Sequence, residues 1–156
     1  MRKSLWLFAG MLAMGCTRAD VSPGTEKEGT SPKVTSGSGQ TAQLKLKQVV
    51  TLNQLSVQLQ SLEDSRCPMN AMCIRQGSAV ATLEVKDAAG NSKSQILYLG
   101  EKLPAPNDRG DRAADSVEVS LGQKNYRLIL HSVEPYPNTS AVPEETQTIS
   151  VTVRSL

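Results

Sequence analysis

From Leu44 to the last residue the chain repeats one pattern: apolar residues at every second position, in short runs divided by turn-forming residues. A period of two puts successive apolar side chains on one face of an extended strand, which excludes a helical reading of the same runs. Leu44 and Leu46 open the series. Leu55, Val57 and Leu59 follow, then Ala79, Ala81, Leu83 and Val85, then Val117, Val119 and Leu121, and finally Ile149, Val151 and Val153. Asp87 to Asn91 reads as a hairpin turn leading into Lys93–Leu99, and Gly122 to Asn125 as a turn leading into Tyr126–Val133. No window of this region combines a helical period with caps at both ends. The expectation is an all-β domain of about six to eight strands, a small antiparallel β-sandwich of immunoglobulin-like form, with a partly open β-barrel as the alternative.

The first residues follow another logic. Arg2 and Lys3 supply a cationic start, Leu5 to Leu12 an apolar run too short to span a bilayer permanently, and small residues then precede Cys16. Ala13-Met14-Gly15-Cys16 resembles the lipobox of bacterial lipoproteins, with Leu12 one place further from the cysteine than the pattern prefers. The resemblance implies a signal peptide over residues 1–15, cleavage before Cys16, and a diacylglyceryl group on its thiol with further acylation by a fatty acid such as palmitate. Two or three acyl chains hold a protein on a membrane almost permanently, at about 0.8 kcal/mol per buried methylene. The implied location is the cell envelope. By analogy with Gram-negative sorting signals, Thr17 after the cysteine favours the outer over the inner membrane.

Residues 16–43 read as the lipidated cysteine and a flexible tether. From Thr17 to Gln43 the only apolar residues are Ala19, Val21, Val34 and Ala42. Such a segment buries too little surface to offset its ordering entropy, and its root-mean-square reach is roughly 30 Å. Residues 44–156 are then a single β domain. The whole chain has 17 Lys plus Arg against 15 Asp plus Glu, and removal of Arg2 and Lys3 with the signal leaves the two signs equal. Equal charge gives no bulk attraction to nucleic acid. Trp6 and Phe8 also leave with the signal, so the domain keeps only Tyr98, Tyr126 and Tyr136 as aromatic residues. A core without Phe or Trp is lean, and a covalent staple would help it.

Cys67 and Cys73 supply such a staple. In an oxidising envelope two cysteines this close in the chain are expected as a disulfide, which stabilises the fold by about 2 kcal/mol on the chain-entropy argument. Asp64-Ser65-Arg66-Cys67-Pro68, a short gap, Cys73-Ile74, and then Gly77 before an alternating strand resembles an uncharacterised bacterial lipoprotein family with a D-S-R-C-P…C-I motif. Its sequences also place a Tyr-containing strand before a Pro-Tyr-Pro element, here Tyr126 and Pro135-Tyr136-Pro137. The resemblance implies a compact extracytoplasmic β domain and brings no activity with it. Arg75 stands where an aromatic residue is expected after the Cys-Ile pair.

The tied loop admits two functional readings beside the structural one. Loops on a rigid β scaffold often carry binding, and tying one down lowers the ordering cost of an encounter. Arg66, Pro68, Met69, Asn70, Met72 and Arg75 are the candidate contact residues. Alternatively, Cys67, Met69, Met72 and Cys73 offer four soft sulfur ligands suited to Cu(I), provided the cysteines are reduced. With the disulfide formed, no metal or cofactor is expected, and the methionines are expected to pack as flexible apolar fillers.

Catalytic residues are not expected. His131 is the only histidine; alternation puts it on one face with Arg127, Ile129 and Val133, where it is read as making an ordinary hydrogen bond. No Gly-x-Ser-x-Gly element marks a nucleophile to go with it. The acidic stretch Asn107 to Asp115 has calcium-type oxygen ligands, but Arg109 and Arg112 neutralise much of its field. Pro135 and Pro137 end the preceding strand, and Pro137 is a candidate for a cis peptide. The chain is therefore expected to be a membrane-anchored, non-enzymatic binding or scaffolding protein with an envelope partner. A Cu(I)-handling protein and an inhibitor of an extracellular enzyme are the alternatives.

Overall fold

The computed structural model describes residues 39–140, 143 and 146–156. The signal segment, Cys16 and the tether up to residue 38 lie outside them. Eight strands make up the domain: β1 (Gly39–Lys45), β2 (Val49–Leu52), β3 (Leu55–Asp64), β4 (Ser78–Lys86), β5 (Ser92–Gly100), β6 (Asp115–Leu121), β7 (Lys124–Glu134) and β8 (Thr148–Ser155). They form two four-stranded sheets, in the orders β1-β8-β7-β6 and β2-β3-β4-β5, with every neighbouring pair antiparallel.

The inner faces carry the alternating residues that the sequence sets out. Val57, Leu59, Ala81, Leu83, Val85 and Leu97 of one sheet meet Leu44, Leu128, Leu130, Ile149, Val151 and Val153 of the other, all fully buried. Tyr126 is the one aromatic side chain in this layer. Tyr98 is equally buried but lies on the other face of β5 from Leu97 and Leu99, beneath the loop that follows the strand.

The sheets do not close into a barrel, so the sandwich expectation holds and the barrel alternative falls. The physical reason is visible at both seams. Between β5 and β6, the Asp115 carboxylate takes the Tyr98 backbone N–H at 3.0 Å, where a closed barrel would run a ladder. On the other seam the Asn53 amide donates to the Val153 carbonyl at 2.6 Å, and the Gln40 side chain accepts from the Asn53 N–H at 2.6 Å. Side chains and two isolated backbone bridges, Leu46 with Leu59 and Gly100 with Arg112, stitch the edges in place of a continuous ladder.

Three expectations change. Strand β1 takes in residues 39–43 of the segment 16–43 read as tether, pairing with β8 from Gly39 opposite Arg154 onward. Residues 39–43 contain one apolar side chain, Ala42, and take their strand conformation from that partner rather than from a pattern of their own. The short β2, Val-Val-Thr-Leu, has no alternation to announce it. On β7 the register with β8 shifts between Leu130 and Ser132, a β-bulge that reverses the faces beyond it. Val133 consequently points into the core with Tyr126, Leu128 and Leu130, while His131 stays outside.

The topology gathers the long connections at one end. Segments 65–77, 101–114 and 135–140 leave the strand ends there, whereas the tight turns 53–54, 87–91 and 122–123 lie at the other, with the start of β1 and the end of β8. The nine residues of β4 separate the two ends by about 30 Å at a normal strand rise.

Candidate functional site at the loop end

Cys67 and Cys73 are joined by a disulfide with their Cα atoms 5.9 Å apart. The loop they close is fixed from several sides. The Cys67 N–H donates to the Gln76 carbonyl at 2.7 Å, and the Met69 N–H to the Pro137 carbonyl at 3.1 Å. The Asn70 side chain donates to Thr139 Oγ1 at 2.6 Å and accepts from the Thr139 N–H at 2.9 Å. Gly77 closes the loop in left-handed backbone (φ 70°), with a hypothetical Cβ only 2.0 Å from the Ser65 carbonyl oxygen, so no other residue fits unchanged.

This anchored loop turns apolar side chains outward. Met69 is 74% exposed and Met72 and Ile74 are exposed to the full extent of a free residue. The expectation that the methionines pack as fillers is thus overturned: the disulfide and the backbone bonds hold the loop, and its large side chains are left at the tip. Ile74 is not among the contact residues expected from the sequence, where it figures only as part of the Cys-Ile pair. Nothing in the local pattern marks its exposure.

Arg66 moves the other way. Expected among the contact residues, it is 9% exposed and fully engaged. Its Nε and a terminal nitrogen make a bidentate pair with Asp64 at 2.9 and 2.7 Å, and a terminal nitrogen also donates to the Val133 carbonyl at 2.9 Å. The guanidinium lies over the Tyr136 ring, 4.3 Å from its centroid. The Asp-x-Arg element and the Pro-Tyr-Pro element are therefore one structural joint between β3 and β7. The cis peptide in this element is Glu134–Pro135, not the one preceding Pro137. Of the remaining expected residues, Pro68 is half-buried, Asn70 is held by Thr139, and Arg75 pairs with Glu101 at 3.1 Å while staying exposed.

No protein-family model, no curated protein and no solved structure matches this chain.

A second arginine cluster organises the loop 101–114. Asp115, 1% exposed, accepts from Nε of Arg109 at 3.0 Å, from a terminal nitrogen of the same side chain, and from the Tyr98 N–H. Arg109 lies over the Tyr98 ring at 4.9 Å, and its backbone N–H donates to the Tyr98 hydroxyl at 2.7 Å. Hydrogen bonding to Asp115 holds the Arg109 guanidinium above its usual range. The carboxylate that a calcium ion would need most is already held by arginine. Asp108 and Asp111 accept from the backbone N–H groups of Gly110 and Lys102. Among the described residues no three His, Cys, Asp or Glu side chains gather in a metal-binding group.

The sulfur ligand set is also reduced. With Cys67 and Cys73 bonded to each other, only the Met69 and Met72 thioethers remain free among the four sulfurs. His131 makes the single hydrogen bond expected of it, Nε2 to Thr152 Oγ1 at 2.8 Å on the outer face of the first sheet. Thr152 Oγ1 lies 2.6 Å from Thr41 Oγ1. Among the described residues no carboxylate hydrogen-bonds the histidine, so the orienting member of a triad is not placed beside it.

Proposed function

We propose that the chain is a lipoprotein of the bacterial envelope, cleaved before Cys16 and anchored there, whose β-sandwich serves as a non-enzymatic binding domain for an envelope partner. The observation that carries the binding reading is the tip formed by Met69, Met72 and Ile74. Large apolar side chains left in water on a loop that is covalently tied and hydrogen-bonded on both flanks are poorly explained by folding alone. They suit recognition, because the ordering cost has been met before the partner arrives. Within the domain, the start of β1 lies at the turn end, about one strand length from the tip. The proposed location is the outer membrane where the host is Gram-negative, on the ground of Thr17.

The two halves of this reading are tested separately. Anchoring predicts that the wild-type protein partitions into a detergent phase and that Cys16→Ala moves it to the aqueous phase; equal partitioning would remove the lipoprotein assignment. Binding predicts that a photo-crosslinker at position 72, introduced in the native host, yields a discrete adduct. The same crosslinker placed in a chain carrying Met69→Ser and Ile74→Ser should yield that adduct at least tenfold less. An adduct pattern unchanged by those substitutions would remove the tip from the binding reading.

A further inference from the structure

Beside the tied loop, β6 begins only at Asp115, opposite Leu130, so residues 131–134 of β7 run on with no β6 residue next to them. The gap is a cleft of about 260 Å³ between the ends of β5 and β7. Three charged residues line it: Arg66, Arg112 and Glu134. Arg66 is spent on Asp64. Arg112 is held far more loosely, by one ion-pair contact at 4.0 Å. Its Nε is buried with no hydrogen-bond partner among the described residues, and the nearest carboxylate oxygen, Asp115 Oδ1, stands 4.0 Å away and is committed to Arg109. The side chain is 38% exposed, and since Nε is buried that exposure belongs to the rest of the side chain. Glu134 makes no ion pair among the described residues, so it and Arg112 are more than 4.0 Å apart.

One cation and one anion thus share a cleft without neutralising each other, in a loop end whose other arginines are all paired with carboxylates. A simple anion drawn to Arg112 meets repulsion from Glu134, and a simple cation meets the reverse. A ligand carrying both signs satisfies both. We propose that this cleft binds a small zwitterion of the amino-acid type, its carboxylate on Arg112 and its ammonium group on Glu134. Tyr136 and Gln76 line the same walls and supply further polar contacts. The site is separate from the apolar tip and stands or falls independently of any protein partner.

The test is a chemical-shift titration of the ¹⁵N-labelled full chain, following the Arg112 Nε–H and the backbone N–H of Gly77 and Gly100 at the cleft wall. Glycine, β-alanine and 4-aminobutyrate span a range of charge separations, with acetate and methylammonium at matched ionic strength as half-ligands. At least one of the three zwitterions should shift these signals saturably, at least tenfold more tightly than either half-ligand. Arg112→Gln should abolish that response. Glu134→Gln, a change at an exposed position, should weaken the zwitterion while strengthening acetate, a crossover that a purely structural role does not produce. The proposal is overturned if all three zwitterions give only linear shifts, if acetate matches them in the wild type, or if Glu134→Gln leaves the order of ligands unchanged.

Discussion

Arg66 and Arg109 meet the same requirement at two places in the loop end: each pairs with an aspartate, covers a tyrosine ring and reaches a backbone carbonyl on a strand of the sandwich. The carboxylates beneath them, Asp64 and Asp115, are almost wholly removed from water, and a buried charge stripped of its partner is costly. Arg109→Met should therefore destabilise the fold by about 3 kcal/mol in urea unfolding. Adding Asp115→Leu to that variant should recover much of the loss, since the stranded charge is then gone. A double variant no more stable than the single one would show that Asp115 serves the fold through its bond to the Tyr98 N–H rather than through the ion pair. Asp87 is the contrasting exposed case. The Asn91 side-chain amide, opposed by slight desolvation and joined by the backbone N–H groups of Asn91, Ala89 and Gly90, holds its pKa below the ordinary 3.8. A depressed carboxylate stabilises the fold above its unfolded value and loses that contribution as pH falls through the folded value. In a carboxyl NMR titration Asn91→Ala should return Asp87 toward 3.8, and an unchanged midpoint would remove the Asn91 amide as the cause.

At the scale of elements, the segment between β3 and β4 shows how a loop acquires rigidity without a core of its own. Removing the staple in a Cys67→Ser, Cys73→Ser chain should cost about 2 kcal/mol of stability, with the denaturant slope unchanged because little surface is involved. The Met69 N–H, bonded to Pro137, should lose its exchange protection in that chain while β4 keeps its own; protection retained at Met69 would assign the loop's order to Asn70 and Thr139 alone. Gly77→Ala should be at least as damaging, since its left-handed backbone and the Ser65 carbonyl both reject a side chain. The same elements mark what a sequence can disclose. β3, β4 and β8 are legible because alternation is a property of adjacent residues, and so is the disulfide, because the two cysteines are near in the chain. β2 is too short to display a period, and the first part of β1 is ordered by β8, more than 100 residues away. The outward direction of Met69, Met72 and Ile74, the joint between Arg66 and Tyr136, and the lack of a hydrogen-bond partner at Arg112 Nε all depend on which loops meet. Spacing along the chain carries no information about such meetings.

For the sandwich as a whole, what matters is that its strands are joined in two unequal ways: six ladders within the sheets, and sparser bonds between the sheets where β5 faces β6 and where the β2–β3 turn meets β1 and β8. Such a sandwich keeps open edges, and β1 is one of them. β1 is polar along its outward positions, with Gln43 and Lys45 exposed and Ala42 and Leu44 buried, so it shields the more apolar β8 behind it. Were β1 shortened, Ile149, Val151 and Val153 would lie on a strand with a free ladder side, the condition that invites edge-to-edge pairing. A chain beginning at Gly39 should therefore unfold cooperatively as a monomer, whereas one beginning at Leu44 loses the pairings from Gly39 opposite Arg154 to Gln43 opposite Ser150. The shorter chain should be less stable in urea and should self-associate in sedimentation as concentration rises. If the two chains proved equally stable and monomeric, β1 before Leu44 would be an ornament on the domain, and the boundary between tether and fold would lie where the apolar alternation begins.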